Sequence, residues 1–110
     1  MNNTYQAICK AHADSPIRVT QDRSRAAFAL LDMLDHAKIP EPRLVVAIDG
    51  ELALLWEDAT KCLVLVPEPS GHLRFVVEFG RERREGRKPY ALAIPREVQE
   101  ILDVFKPTLH

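Results

Sequence analysis

Residues 43–79 read RLVVAI-DG-ELALLWEDATK-CLVLV-PEPSGH-LRFVVEF, four apolar runs separated by three turn signals. Runs of this length, rich in valine, leucine and aromatic residues and bounded by Asp-Gly and Pro/Gly clusters, are the pattern of an antiparallel meander. Asp49-Gly50 is the strongest hairpin signal. A two-residue turn there would set Ile48 against Glu51 and mix large and small side chains on both faces. A type I turn followed by a left-handed Gly50 in a bulge instead sets Ala47 against Glu51. That register gathers Leu44, Val46, Leu52, Leu54 and Trp56 on one face and Val45, Ala47, Ala53 and Leu55 on the other, so the bulged turn is the expected one.

The third run, Cys62 to Val66, is apolar on both sides and reads as a central strand. The fourth alternates, with Leu73, Phe75, Val77 and Phe79 inward and Arg74, Val76 and Glu78 outward. The expected buried face holds Leu44, Val46, Leu54, Phe75 and Val77. Phe28, Leu31 and Leu34 should cover it from a helix that opens at Thr20, carries Ala27, Leu30, Leu31 and Leu34 at i, i+3, i+4 and i+7, and ends near Lys38 before Ile39-Pro40. Residues 3–13 suggest a short helix stopped by Asp14-Ser15-Pro16 within an N-terminal extension, 1–19. Pro40-Glu-Pro42 makes a stiff entry to the sheet.

Beyond Gly80, residues 81–88 are too charged to bury and read as a mobile connector. A short strand from Tyr90 to Ile94 is an optional fifth. A helix over 95–106 follows, with Val98, Ile101, Leu102 and Phe105 at helical spacing and Pro107 after it. The expectation is one α+β domain over 1–110: helix 20–38 packed on a four-stranded antiparallel meander, or five-stranded with the extra run, and a C-terminal helix partly covering the second face.

The 110 residues suit one domain with a core of its own, and 46% apolar and 28% charged residues are globular values. A formal charge of −1 gives no whole-molecule attraction for phosphates or acidic substrates. Cys9 and Cys62 form no C-x-x-C pair or dense framework, which suits a reducing compartment. No run reaches the length of a membrane span and no leader pattern opens the chain, so a cytoplasmic protein is expected, in its own cell or in the host of a mobile element.

Chemistry is sparse. Gly50, Gly71, Gly80 and Gly86 stand apart, so no phosphate cradle forms, and no nucleophile elbow, zinc-protease pair or kinase set is present. Asp32 and His36 stand i, i+4 with Asp35 adjacent, but His12, Asp14, Cys62 and His72 belong to other elements, so a solvated helix face is the simpler reading than a metal site. Cys62 opens an apolar strand with no nearby histidine and reads as a structural thiol. No catalytic residue, metal or cofactor is expected.

One feature is unbalanced: from Arg81 to Arg96 there are six basic residues against two acidic ones. Arg81, Arg83, Arg84, Arg87 and Lys88, with Tyr90 as a stacking surface and Trp56 as an apolar anchor, are the candidate partner-binding residues. Phosphate recognition would use such arginines, but a second aromatic or a basic helix face normally accompanies them. The reading is a protein-interaction module, accessory or inhibitory, or a homodimer formed through the second face. The alternative is a nucleic-acid-binding accessory protein using 81–88.

Pro40-x-Pro42, Asp49-Gly-x-Leu-x-Leu-x-Trp56 and Gly71-x-Leu-x-Phe75 together resemble a loose group of short, mostly uncharacterised bacterial and mobile-element proteins in which a helix precedes a meander whose second strand ends in tryptophan. The resemblance covers about residues 24–80. It implies an α+β fold and a setting among plasmids, phages and accessory islands, and brings no catalytic residue with it.

Overall fold

The structure, a computed structural model, describes residues 1–90 and 93–105. Its order is α1 (Asn2–Asp14), α2 (Gln21–His36), β1 (Arg43–Val46), β2 (Leu52–Glu57), β3 (Lys61–Pro67), β4 (His72–Phe79), β5 (Glu82–Pro89) and α3 (Arg96–Asp103). The five strands form one antiparallel sheet in sequence order. This is an α+β fold.

The first hairpin has the expected bulged turn. Gly50 N–H donates to Ala47 O (2.8 Å), Ala47 N–H donates to Glu51 O (2.9 Å), and Gly50 takes φ +88°. A side chain at Gly50 is excluded twice, by that φ and because a Cβ would lie 2.2 Å from Arg18 O. The resulting register aligns Leu44, Leu54, Leu65, Phe75 and Gly86 across the sheet. Trp56, Leu63 and Val77 follow on the same face, and Leu54, Leu63, Leu65 and Val77 are essentially inaccessible. Burying each such side chain contributes about 1.5–3 kcal/mol.

Helix α2 supplies the opposing layer. The Thr20 hydroxyl accepts from Arg23 N–H (3.3 Å), capping its start, and Ala27, Leu30, Leu31 and Leu34 are buried along one stripe. Its end is a Schellman motif: Ile39 N–H donates to Leu34 O and Lys38 N–H to Asp35 O, both at 3.1 Å, with Lys38 at φ +57°. Phe28 is half-buried at the margin of that core and stacks on Tyr5 of α1, centroids 5.6 Å apart. Helix α1 thus lies beside α2, with Ile8 in the core and the Thr4 hydroxyl donating to Pro42 O (2.6 Å).

Three expectations are corrected. Residues 81–88, expected as a mobile connector, are the turn residue Arg81 followed by strand β5, which pairs with β4 along its whole length from Phe79↔Glu82 to His72↔Pro89. Gly80 at φ +58°, followed by Arg81, supplies the Gly-X pattern of a type II′ turn. Charge did not prevent the strand, because an edge strand leaves long side chains in water on both faces while its backbone satisfies β4. The fifth strand therefore lies before Tyr90, not over Tyr90–Ile94; Ala91 and Leu92 are outside the described residues. Val46, expected in the core, is 45% exposed: it shares the Leu52 face but lies at the sheet edge. Lastly, α3 does not cover the second face. Glu97 pairs with Arg84 (2.6 Å) and Lys88 (3.7 Å), and the Lys61 ammonium sits 5.3 Å from the Phe105 ring centroid, all on the α2 side of the sheet. Val98, Ile101 and Leu102 join the same core as α2. Lys106 and Pro107, the expected end of this helix, are outside the described residues.

Gly86 faces the core within β5 because Phe75 occupies the space above it: a Cβ there would stand 2.7 Å from the ring Cζ. Replacing Gly86 by Ala removes a backbone-entropy cost of up to about 1 kcal/mol but forces the ring aside, at about 1–3 kcal/mol. Gly86→Ala is expected to lower stability by about 1 kcal/mol in urea titrations, and less in a Phe75→Leu background. At the Schellman position the sign reverses: Lys38→Gly relieves a left-handed non-glycine residue and is expected to raise stability by about 0.5–1 kcal/mol in the same measurement.

Candidate interaction surface

With the helices on one side, the other side of the sheet is bare of any described element. The register sets Val45, Ala53, Val66, Arg74 and Arg87 in one row across it. Arg43, Leu55, Val64, Val76 and Glu85 form the next, and Glu57, Cys62, Glu78 and Arg83 the third. The centre is apolar and the margins are charged. A depression of about 610 Å³ lies over β3–β5, lined by Val64, Val66 and Val76 with Arg74, Glu85 and Arg87 around them.

The margin is held by ion pairs. Arg74 meets Glu51, Arg87 Nε donates to Glu68 Oε1 (2.6 Å), Arg83 lies 3.3 Å from Glu85 and Arg43 3.5 Å from Glu57. Val66 is only 7% exposed although no element lies above it. Its row ends in Arg74 and Arg87, whose aliphatic stems can shield a neighbouring valine while their charged ends stay wet. Each such exposed pair contributes at most about 1 kcal/mol to stability. What the pairs do is neutralise this face.

The residues expected to bind a partner are not brought together. Arg83 and Arg87 point to the bare face, while Arg84 and Lys88 point to the helix side and share Glu97. Arg81 stands exposed in the β4–β5 turn. Trp56 is 4% exposed, with its indole N–H donating to Pro40 O (2.7 Å), so the ring closes the core edge. Tyr90 is buried too: its N–H donates to Gly71 O (2.9 Å), its hydroxyl reaches Ala26 O (3.5 Å), and burial raises its pKa. The stacking surface expected of Tyr90 is thus inside the protein. The valines that line the bare face were legible as a second apolar face, but the pairing of Arg74 with Glu51 and of Arg87 with Glu68 was not, because it depends on register.

No metal arrangement takes shape: among the described residues no group of three or more His, Cys, Asp or Glu side chains converges. Asp32 instead accepts from the Tyr5 hydroxyl, and His36 Nδ1 contacts Asp32 O (2.8 Å). Cys9 and Cys62 are both free thiols. Burial, and then Glu57 and Glu78, raise the Cys62 pKa, which keeps it protonated and a poor nucleophile. No described helix is long and apolar enough to cross a membrane. In comparisons with protein-family models, curated proteins and solved structures, nothing matches this chain.

The Tyr5 phenol is pushed up to about 12 from 10.0, first by burial, then by its hydrogen bond to Asp32 and the negative charges of Asp32 and Asp35. Between those values the folded chain holds a proton that the unfolded chain has lost. This contribution to stability is therefore complete below pH 10 and falls as pH rises from 10 to 12. Chemical denaturation across that range should show a shallower decline in Tyr5→Phe than in the wild type, with a residual slope from Tyr90.

Proposed function

We propose that this chain is a protein-interaction module that docks a protein partner on the bare face of its sheet, acting as an accessory or inhibitory factor in the cytoplasm of a bacterial cell or of a mobile element's host. The observation that carries the reading is the composition of that face: Leu55, Val64, Val66 and Val76 at the centre, bounded by arginine–carboxylate pairs. An apolar centre with a polar rim is the anatomy of protein interfaces, where the centre supplies affinity and the rim tunes rate and specificity.

A phosphate-binding reading has less support. Nucleic-acid affinity comes from cations free to displace counterions, and the basic residues of β5 are divided between two faces and largely engaged by Glu68, Glu85 and Glu97.

Val76 lies opposite Glu85 on β5, so Val76→Arg gains a cross-strand partner while placing a charge in the apolar centre. That variant is expected to keep its melting temperature within a few degrees and to lose capture of the partner retained by wild type in affinity purification. Replacing Arg83, Arg84 and Arg87 together by Ala should weaken capture only modestly. Submicromolar binding of wild type to random DNA or RNA at physiological salt, lost in the triple variant, would overturn the proposal.

A further inference from the structure

The two edges of the sheet are built differently. β5 carries Glu82, Arg83, Arg84, Glu85, Arg87 and Lys88 on its two faces, so a second β5 laid against it would bring like charges together. β1 reads Arg-Leu-Val-Val and continues to Ala47 and Ile48. Its outer edge carries a single charge, Arg43, and helix α1 approaches it at Pro42 through the Thr4 hydroxyl, leaving Leu44 to Val46 without a charged guard.

The hydrogen-bond phase of β1 shows which groups face outward. Ala47 N–H donates to Glu51, so Ala47, Val45 and Arg43 direct their backbone groups toward β2, and the N–H and C=O of Leu44 and Val46 point away from the sheet. The flanking carbonyls are taken: Pro42 O accepts from the Thr4 hydroxyl and Ile48 O from Arg18 Nη1 (3.3 Å). Beside this edge stand Val45 and Val46, 42% and 45% exposed, and at its end Ile48 and Ile17, 92% and 91% exposed. The corner is braced, because Arg23 Nη1 donates to both Arg18 O (2.9 Å) and Asp49 O (2.6 Å). Backbone donors and acceptors alternating along an exposed edge are met by water in the isolated chain and offer a template that an added extended strand fits.

We infer that the β1 edge pairs with the β1 edge of a second copy of this chain, antiparallel about a two-fold axis at Val45. In that register Leu44 of each copy exchanges hydrogen bonds with Val46 of the other, and the two Val45 side chains meet on the bare face. Arg43 lies opposite the other copy's Ala47 and diagonal to its Asp49, a charge-complementary neighbour at both ends. The contact is isologous and closes, since the outer edges of the ten-stranded sheet it forms are the two charged β5 strands. A strand this short buries less than the roughly 1,200 Å² of stable interfaces, so the dimer is reversible and concentration-dependent. This inference rests on the edge and is independent of what docks on the bare face.

The test combines sedimentation, amide exchange and cross-linking on the full chain. Sedimentation should give a dimer that grows with concentration, and exchange at the Leu44 and Val46 amides should slow in parallel. Val46→Pro removes a donor that β2 does not use, and should weaken dimerisation at least about tenfold, the equivalent of 1.4 kcal/mol, while leaving the thermal melt cooperative. In a Cys9→Ser, Cys62→Ala background, Val45→Cys should form a disulfide dimer on mild oxidation, and Arg87→Cys on the other edge should not. A monomer at every concentration up to about 1 mM would overturn the inference. So would edge amides protected independently of concentration, or a dimer that survives Val46→Pro and cross-links through Val76→Cys in preference to Val45→Cys.

Discussion

The rest of the structure depends on the backbone conformation of one residue, the left-handed Gly50. Because strand side chains alternate with period two, the bulge at Gly50 decides which of Leu54 and Leu55 enters the core, and a slip of one residue would turn the whole of β1 to the wrong face. The same glycine lets the hairpin tip press against Arg18, in the turn joining α1 to α2. Register of the sheet and position of the helical layer are thus set at one contact, reinforced by Arg23 bridging Arg18 and Asp49.

From that contact the asymmetry of the molecule follows. Three helices share one side of the sheet, so Leu52 and Leu54 of β2, Leu63 and Leu65 of β3 and Phe75 and Val77 of β4 find a dry environment there, and Gly86 makes room for the Phe75 ring in place of a side chain of its own. The opposite side has comparable apolar content at its centre but no covering layer among the described residues. Antiparallel sheets tolerate a wet face when its side chains are polar. Here arginine–carboxylate pairs provide that polarity at the margin, and Val64 and Val76 between them stay partly exposed.

Charge has a similar double role at the edges. β5 is the most charged element of the sheet and is nonetheless fully paired with β4, since strand formation at an edge needs only backbone complementarity and a turn that closes. Its arginines and lysine serve both faces, holding α3 through Glu97 on one and meeting Glu68 and Glu85 on the other. The short β1 edge, with Arg43 as its one charge, is where backbone polarity and apolar exposure coincide among the described residues.

Much of the fold was legible in the sequence because local rules carry it. Asp49-Gly50 dictates its turn, Thr20 its cap, and the spacing of Leu30, Leu31 and Leu34 one buried stripe; these depend on neighbours in the chain. The Gly80-Arg81 turn was equally local but was masked by the charge that follows it. What only the tertiary structure decided is everything that depends on distant partners: that Trp56 and Tyr90 are buried in the core, and that Val46 is left at the edge. It also decided that α3 joins α2 on one side. The candidate site was half legible for the same reason. Alternation along each strand reveals its valines, but the pairing of Arg74 with Glu51 or Arg87 with Glu68 joins residues far apart in the chain, and strand order and register alone bring them together.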